Sequence, residues 1–234
     1  MKHPIGRLGA ILIFTLVMAT PPVHAQSASP EGVVGGVIYA LAESRKAKAA
    51  ELAGGTAQAA ARGIISRDVA PHMDFARISA DAVGKSWSGA TVTQRIAIER
   101  EFRQLLVHVL AQLLVINQAD TLSNAHLAAP PRAGEAVVRV GVLRRGGVAA
   151  ESMQVWLRQV GATWKAYELR VDGVDVVKLY GGNFAIVIER DGGLDGLIKA
   201  LVQRNVRNAQ SAQAKPAPVA RPLAEDACLS CNMP

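Results

Sequence analysis

The hydrophobic period of this chain changes once, near its middle, and that change limits what the chain can fold into. Ile98, Phe102, Leu105, Leu106, Val109, Leu113 and Ile116 recur three and four apart, which is the spacing of one face of a long helix. Thr91 followed by Gln94 supplies a capping box at its start, and Arg95, Glu99, Arg100, Arg103 and Gln104 occupy the opposite face. From residue 136 the period becomes two. Val138, Val140 and Val142 alternate with Arg139 and Gly141, and Met153, Val155 and Leu157 alternate with Gln154, Trp156 and Arg158. Further strands are expected over 164–171 and 174–177, so that four strands joined at Arg145-Gly146-Gly147, Gly161-Ala162 and Asp172-Gly173 form an antiparallel meander. After Tyr180-Gly181-Gly182 the helical spacing returns, through Phe184, Val187 and Ile188 and then Leu194, Leu197, Ile198, Leu201 and Val202. Ala-rich helices over 33–52 and 58–65, broken at Gly54-Gly55, precede the long one. The fold class is α+β, with helices packed against one antiparallel sheet of about four strands.

The ends of the chain read differently from its body. Lys2 and Arg7 precede an apolar run over 8–19, and Val23-His24-Ala25 forms a small-residue cleavage pattern. Residues 1–25 are therefore expected to be a cleaved secretory signal peptide. The run is shorter than the roughly 20 residues a membrane span needs; an uncleaved anchor is the competing reading. A single domain is expected over 26–208 and a disordered Pro/Ala-rich tail over 209–234, which carries both cysteines, Cys228 and Cys231. A C-x-x-C pair can be redox-active or half a zinc site, but nothing beside it supplies the remaining ligands. The core must fold without disulfides.

The formal charge is +7, and residues 1–25 hold two of the cations and no acid, so an exported product carries +5. Basic chains meet nucleic acid, anionic lipid or acidic proteins. Export and the absence of a basic stripe interleaved with aromatics argue against nucleic acid. No nucleophile elbow, zinc-protease motif, phosphate loop or dinucleotide fingerprint occurs, and the reading calls for no enzyme activity, cofactor or metal. Half the residues are hydrophobic but only 4% aromatic, so the interior is built mainly from aliphatic side chains. Trp87 and Trp164 are read as packing anchors, His108 as a core or boundary residue, and Asp74 with Arg95 as a structural pair.

Three blocks of residues resemble a known family, the periplasmic phospholipid-binding proteins of the MlaC and toluene-tolerance type. The first contains Pro71-His72-Met73-Asp74-Phe75, Val83-Gly84-Lys85-Ser86-Trp87 and Ala90-Thr91 with Gln94-Arg95. The second is Trp164-Lys165-Ala166-Tyr167-Glu168 with Val171-Asp172-Gly173-Val174, and the third is Tyr180, Phe184 and Gly192-Gly193-Leu194 with Leu197-Ile198. They are similar to the family's segments in order and together cover most of 33–205. The chain departs from the pattern at Asp175, Val176, Leu179 and Gly181. The resemblance implies an NTF2-like fold, in which a curved sheet and helices enclose an apolar cavity for phospholipid acyl chains with the headgroup at the mouth. It also implies a periplasmic carrier working between an outer-membrane lipid complex and an inner-membrane ABC transporter with an MCE-domain protein. A hopanoid or other polycyclic lipid is the alternative cargo.

On that reading the lipid-binding candidates are the apolar positions where sheet and long helix meet: Phe75, Ile78, Val83, Phe102, Leu106, Val109, Leu113, Val140, Val155, Leu157, Leu169, Val176, Tyr180, Phe184 and Ile188. Basic positions Arg139, Arg144, Arg145, Arg158 and Lys165 are candidates for acidic partner surfaces or anionic headgroups. The competing classes are an enzyme acting on an apolar substrate, with His72, Asp175 and Tyr180 as candidates, and a pure interaction protein.

Overall fold

The computed structural model describes residues 29–117, 121–144, 152–171 and 173–211. Residues 1–25, Cys228 and Cys231, and the expected turns at 145–147 and Asp172 lie outside the described residues. Among the described residues there are seven α-helices and one sheet: α1 (Pro30–Ala47), α2 (Ala49–Ala53), α3 (Ala57–Ile64), α4 (Phe75–Val83), α5 (Val92–Ile116), β1 (Thr121–Leu127), β2 (Glu135–Leu143), β3 (Met153–Val160), β4 (Thr163–Val171), β5 (Val174–Asp175), α6 (Val176–Arg190) and α7 (Leu194–Ser211). The architecture is α+β, as expected. No described helix is long and apolar enough to cross a membrane.

α5 begins where its capping box predicts. Thr91 Oγ1 accepts from the Gln94 backbone N–H at 3.2 Å and Gln94 Oε1 accepts from the Thr91 N–H at 3.0 Å, satisfying two otherwise orphaned ends of the hydrogen-bond ladder. α4 is capped by Asp74, whose carboxylate accepts from the Arg77 N–H at 3.1 Å. That same carboxylate pairs with Arg158 on β3, while the Asp74 backbone N–H donates to Ala166 O on β4 at 2.8 Å. Asp74 thus ties a helix start to two strands. Arg95, its expected partner, instead donates to the carbonyl of Trp87 at 3.1 Å and lies over the Trp87 ring at 5.5 Å. Gly84 ends α4 at φ 62°, a conformation costly for any residue with a Cβ.

The sheet is antiparallel in the order β1-β2-β3-β4-β5, five strands where about four were expected. The extra strand is β1. Its alternation is interrupted by a bulge, since Ser123 pairs with Gly141 and Ala125 with Val140, leaving residue 124 over. A second bulge falls in β4: Leu157 pairs with Ala166 and Trp156 with Glu168, so Tyr167 is the extra residue. Bulges bend the strands that carry them and increase local twist.

The strand expected over 174–177 is only two residues long, because Val176 already starts α6. Glu168 on β4 makes this possible. Its carboxylate accepts from the Val177 N–H at 2.8 Å and the Lys178 N–H at 3.2 Å, satisfying the first turn of a helix whose own N-cap, Asp175, makes no side-chain cap bond. Gly181-Gly182 therefore lies inside a helix rather than in a turn. A Cβ at Gly182 meets nothing within 4 Å, so Gly182→Ala should raise stability by about 0.5–1 kcal/mol. An unchanged or lower urea midpoint would contradict that.

Two cores result. The larger packs α3, α4, α5, α6 and α7 around Ile98, Phe102, Leu105, Tyr180, Phe184 and Leu197. The smaller joins α1 to the sheet through Val34, Ala136, Val138, Val140, Val155, Leu157 and Trp164.

Inside the larger core α5 carries two buried polar groups, Glu101 and His108. Arg62 Nη2 lies 2.9 Å from His108 Nδ1. A guanidinium only donates, so Nδ1 is the acceptor and the ring proton is on Nε2. Burial and the charges of Arg62 on α3 and Arg204 on α7 push the His108 pKa down from 6.5 to about 4. With the unfolded value higher, the unfolded chain binds more protons between pH 6.5 and 4. This contribution is complete above about pH 6.5 and is lost as pH falls towards 4, amounting to about 3 kcal/mol at most. The stability difference between wild type and His108→Gln, read from urea melts at pH 7.5 and 4.5, should shrink by that order at the lower pH. A pH-independent difference would refute the assignment.

Candidate functional site

The two cores leave a space between α1, α5 and the sheet. α1 presents Val33, Val34, Val37, Ile38 and Leu41 to it, and α5 presents Leu106, Val109, Leu110, Leu113 and Leu114. Both sets follow helical spacing. The sheet contributes Val142 from β2, Met153, Val155 and Leu157 from β3, and Ala166, Leu169 and Val171 from β4. The β4 bulge brings these last three together. Ala166 stands opposite Leu157 and Leu169 opposite Val155, so the bulge turns an even-numbered facing residue into odd-numbered ones beyond it. Ile65, Ile78, Val176 and Val177 complete the walls of a cavity of about 290 Å³, at the lower end of ligand pockets.

The lining of this cavity is unevenly exposed. Ile65, Ile78, Leu106, Val155 and Leu157 are buried, whereas Leu113, Asn117, Leu122, Val142 and Met153 are half-buried and Arg144 is exposed. The half-buried group sits where α5 ends and where β1 begins opposite the end of β2. Charged lining residues among those described are Arg45, Arg144 and Glu168. Arg45 Nη2 donates to the Asn117 carbonyl at 3.3 Å, tying α1 to the end of α5.

Of the fifteen sequence-selected candidates, Ile78, Leu106, Val109, Leu113, Val155, Leu157, Leu169 and Val176 line the cavity. The other seven lie elsewhere. Phe102, Tyr180 and Phe184 form an aromatic cluster in the helical core, with ring centroids 4.8–5.9 Å apart. Phe75 and Val83 are buried in that core, Ile188 packs against it, and Val140 belongs to the sheet core. The α1 wall was absent from the sequence selection, although the stripe at 33, 34, 37, 38 and 41 carries a readable signal. Among the basic candidates, Arg158 pairs with Asp74, and Lys165 donates to the Pro71 carbonyl at 2.8 Å. Arg145 lies outside the described residues.

The residues proposed for catalysis do not converge. His72 lines the cavity, but Tyr180 is 2% exposed within the aromatic cluster. Asp175 is held by Arg170 at 2.5 Å and Lys178 at 2.8 Å, and those bonds pull its pKa down to about 2. No cluster of metal-binding type occurs among the described residues.

Comparison with known proteins agrees with this geometry. A solved phospholipid-binding protein from Ralstonia solanacearum, determined in complex with a phospholipid, superposes with a TM-score of 0.63 at 24% identity, covering 79% of this chain and 98% of that one. Among curated proteins none matches. The model of the MlaC protein family matches residues 42–203, and the chain belongs to that family.

Proposed function

We propose that the protein is a non-catalytic phospholipid carrier of the periplasm. The observation that carries this reading is the cavity, walled almost wholly by aliphatic side chains from α1, α5 and the sheet, with its charged residues few. Each CH₂ moved out of water into such a space gains about 0.8 kcal/mol, so a buried acyl chain can cross an aqueous compartment without any chemistry. The phospholipid bound to the Ralstonia neighbour supports the same cargo, and family membership supports exchange with an outer-membrane lipid complex and an inner-membrane ABC transporter bearing an MCE-domain protein. A carrier is preferred to an enzyme because His72 alone of the catalytic candidates lines the cavity, while Asp175 is held by Arg170 and Lys178 and Tyr180 lies within the aromatic cluster.

Native mass spectrometry with lipid extraction tests this on protein purified from the periplasm without detergent. One phospholipid per chain is the expected result. A hopanoid in its place would keep the carrier and change the cargo. An empty protein that takes up no lipid from vesicles would overturn the reading.

A further inference from the structure

We infer that the first half of α1 is a lid on the cavity, hinged at Gly35-Gly36, whose swing lets lipid in and out while the last turn of the helix stays clamped; this rests on the carrier reading. α1 supplies one wall through Val33, Val34, Val37, Ile38 and Leu41, so displacing it uncovers the cavity. Yet only Pro30 and Val34 of the helix are buried. No charged residue occurs over 32–42, so moving this half breaks no ion pair. Glycine disfavours a helix because it loses the most backbone freedom on ordering, and α1 places two in succession. A Cβ at Gly35 or Gly36 would meet nothing within 4 Å; packing gives no reason for either. Gly32 differs, since a Cβ there would come within 3.3 Å of Ser29 Oγ, the oxygen that caps the helix by accepting from the Gly32 N–H at 3.1 Å. Helices bend at small-residue pairs of this kind, and hinges fall where a residue absorbs a backbone change cheaply.

The other half is held by directed bonds. Ser44 Oγ donates to Asp68 Oδ2 at 2.6 Å and accepts from Arg67 Nη2 at 2.6 Å, joining α1 to the π-helical turn Ile65–Val69. Arg45 Nη2 donates to the Asn117 carbonyl at 3.3 Å, joining it to the end of α5. These ties lie eight and nine residues past Gly36. Before the hinge the hold is apolar: Val34 belongs to the sheet core with Val138, Val140, Val155 and Leu157, and Val33 packs against it. Contact of this kind has no direction, and the same carbon surface meets an acyl chain as readily as a strand. The lid therefore opens as a local event, far short of unfolding, and a passing acyl chain replaces the contacts that the swing gives up.

Gly35→Ala and Gly36→Ala, made together in one chain, stiffen the hinge without filling any occupied space. The test follows pyrene-labelled phosphatidylglycerol as it passes from the protein, purified from the periplasm, to acceptor vesicles of phosphatidylcholine. Transfer should slow by about tenfold, the combined helix preference of two alanines over two glycines. Lipid bound per chain at equilibrium should stay within about twofold of wild type, because a stiffer hinge slows entry and exit alike. Gly182→Ala on α6 is the control: it makes the same exchange in open space and outside the cavity wall, and should leave the transfer rate unchanged. Hydrogen exchange locates the motion. Amides over 34–39 should exchange faster than those over 43–47 in lipid-free wild type, and the gap should narrow in the double variant. A wild-type transfer rate in the double variant, a rate slowed as much by Gly182→Ala, or equal exchange along α1 overturns the inference and leaves the carrier intact. A wild type that loads no labelled lipid overturns both.

Discussion

Phe102→Ala should cost about 4 kcal/mol of folding stability. Phe102 is fully buried and meets two other rings edge-on, Tyr180 at 5.1 Å and Phe184 at 4.8 Å. Truncating a buried Phe removes its transfer energy and leaves a cavity, together about 3–5 kcal/mol, and each aromatic pair adds roughly 0.5–1.5 kcal/mol beyond burial. For a domain of this size the melting temperature should fall by about 8–16 °C. Phe102→Leu keeps part of the volume but loses both ring contacts, and should cost about 1–3 kcal/mol. Since Phe102 is outside the cavity wall, lipid carried per folded molecule should stay at the wild-type level in Phe102→Leu. Loss of lipid without loss of stability would mean that this cluster belongs to the site after all.

That Phe102 is core rather than cavity wall could not be read from spacing. Phe102, Leu106, Val109 and Leu113 share the helical period and any of them satisfies an apolar face. What separates them is which neighbour each meets, and Phe102 meets α6 residues about 80 positions later in the chain. Spacing did place α5 and its cap, because the signals involved are local: one side chain, one backbone group, three residues apart. It also exposed the alternation of β2 and β3. It failed wherever an irregularity shifted parity. In β4 the bulge at Tyr167 puts Ala166 and Leu169 on one wall, although strict alternation would set them on opposite faces. In β1 residue 124 breaks the pattern in the same way. At the start of α6 the deciding group, Glu168, is eight residues upstream of Val176 on another element, so a Val-rich stretch that looks like a strand becomes a helix. The family resemblance supplied the cavity as an idea, and its wall from α1 came only with tertiary structure.

Leu110→Asp should abolish lipid carriage while leaving the fold in place. Leu110 lines the cavity but is only half-buried, so in the empty protein a carboxylate there can keep contact with water and the stability cost should stay near 1 kcal/mol. Once an acyl chain fills the space, that carboxylate is buried without a partner. Such a charge costs several kcal/mol, and bound lipid should fall by about a hundredfold or more. Position 110 lies seven residues before Asn117, whose carbonyl Arg45 holds, or about 10 Å along the helix, too far for that guanidinium to neutralise it from its tether. Leu110→Ala should weaken lipid binding only modestly, since it removes contact without adding charge. Ile96→Asp makes the same charge change on the same helix at a residue 62% exposed and outside the cavity, and should leave lipid content unchanged. Equal lipid content in Leu110→Asp and Ile96→Asp would show that the cargo does not occupy the space between α1, α5 and the sheet.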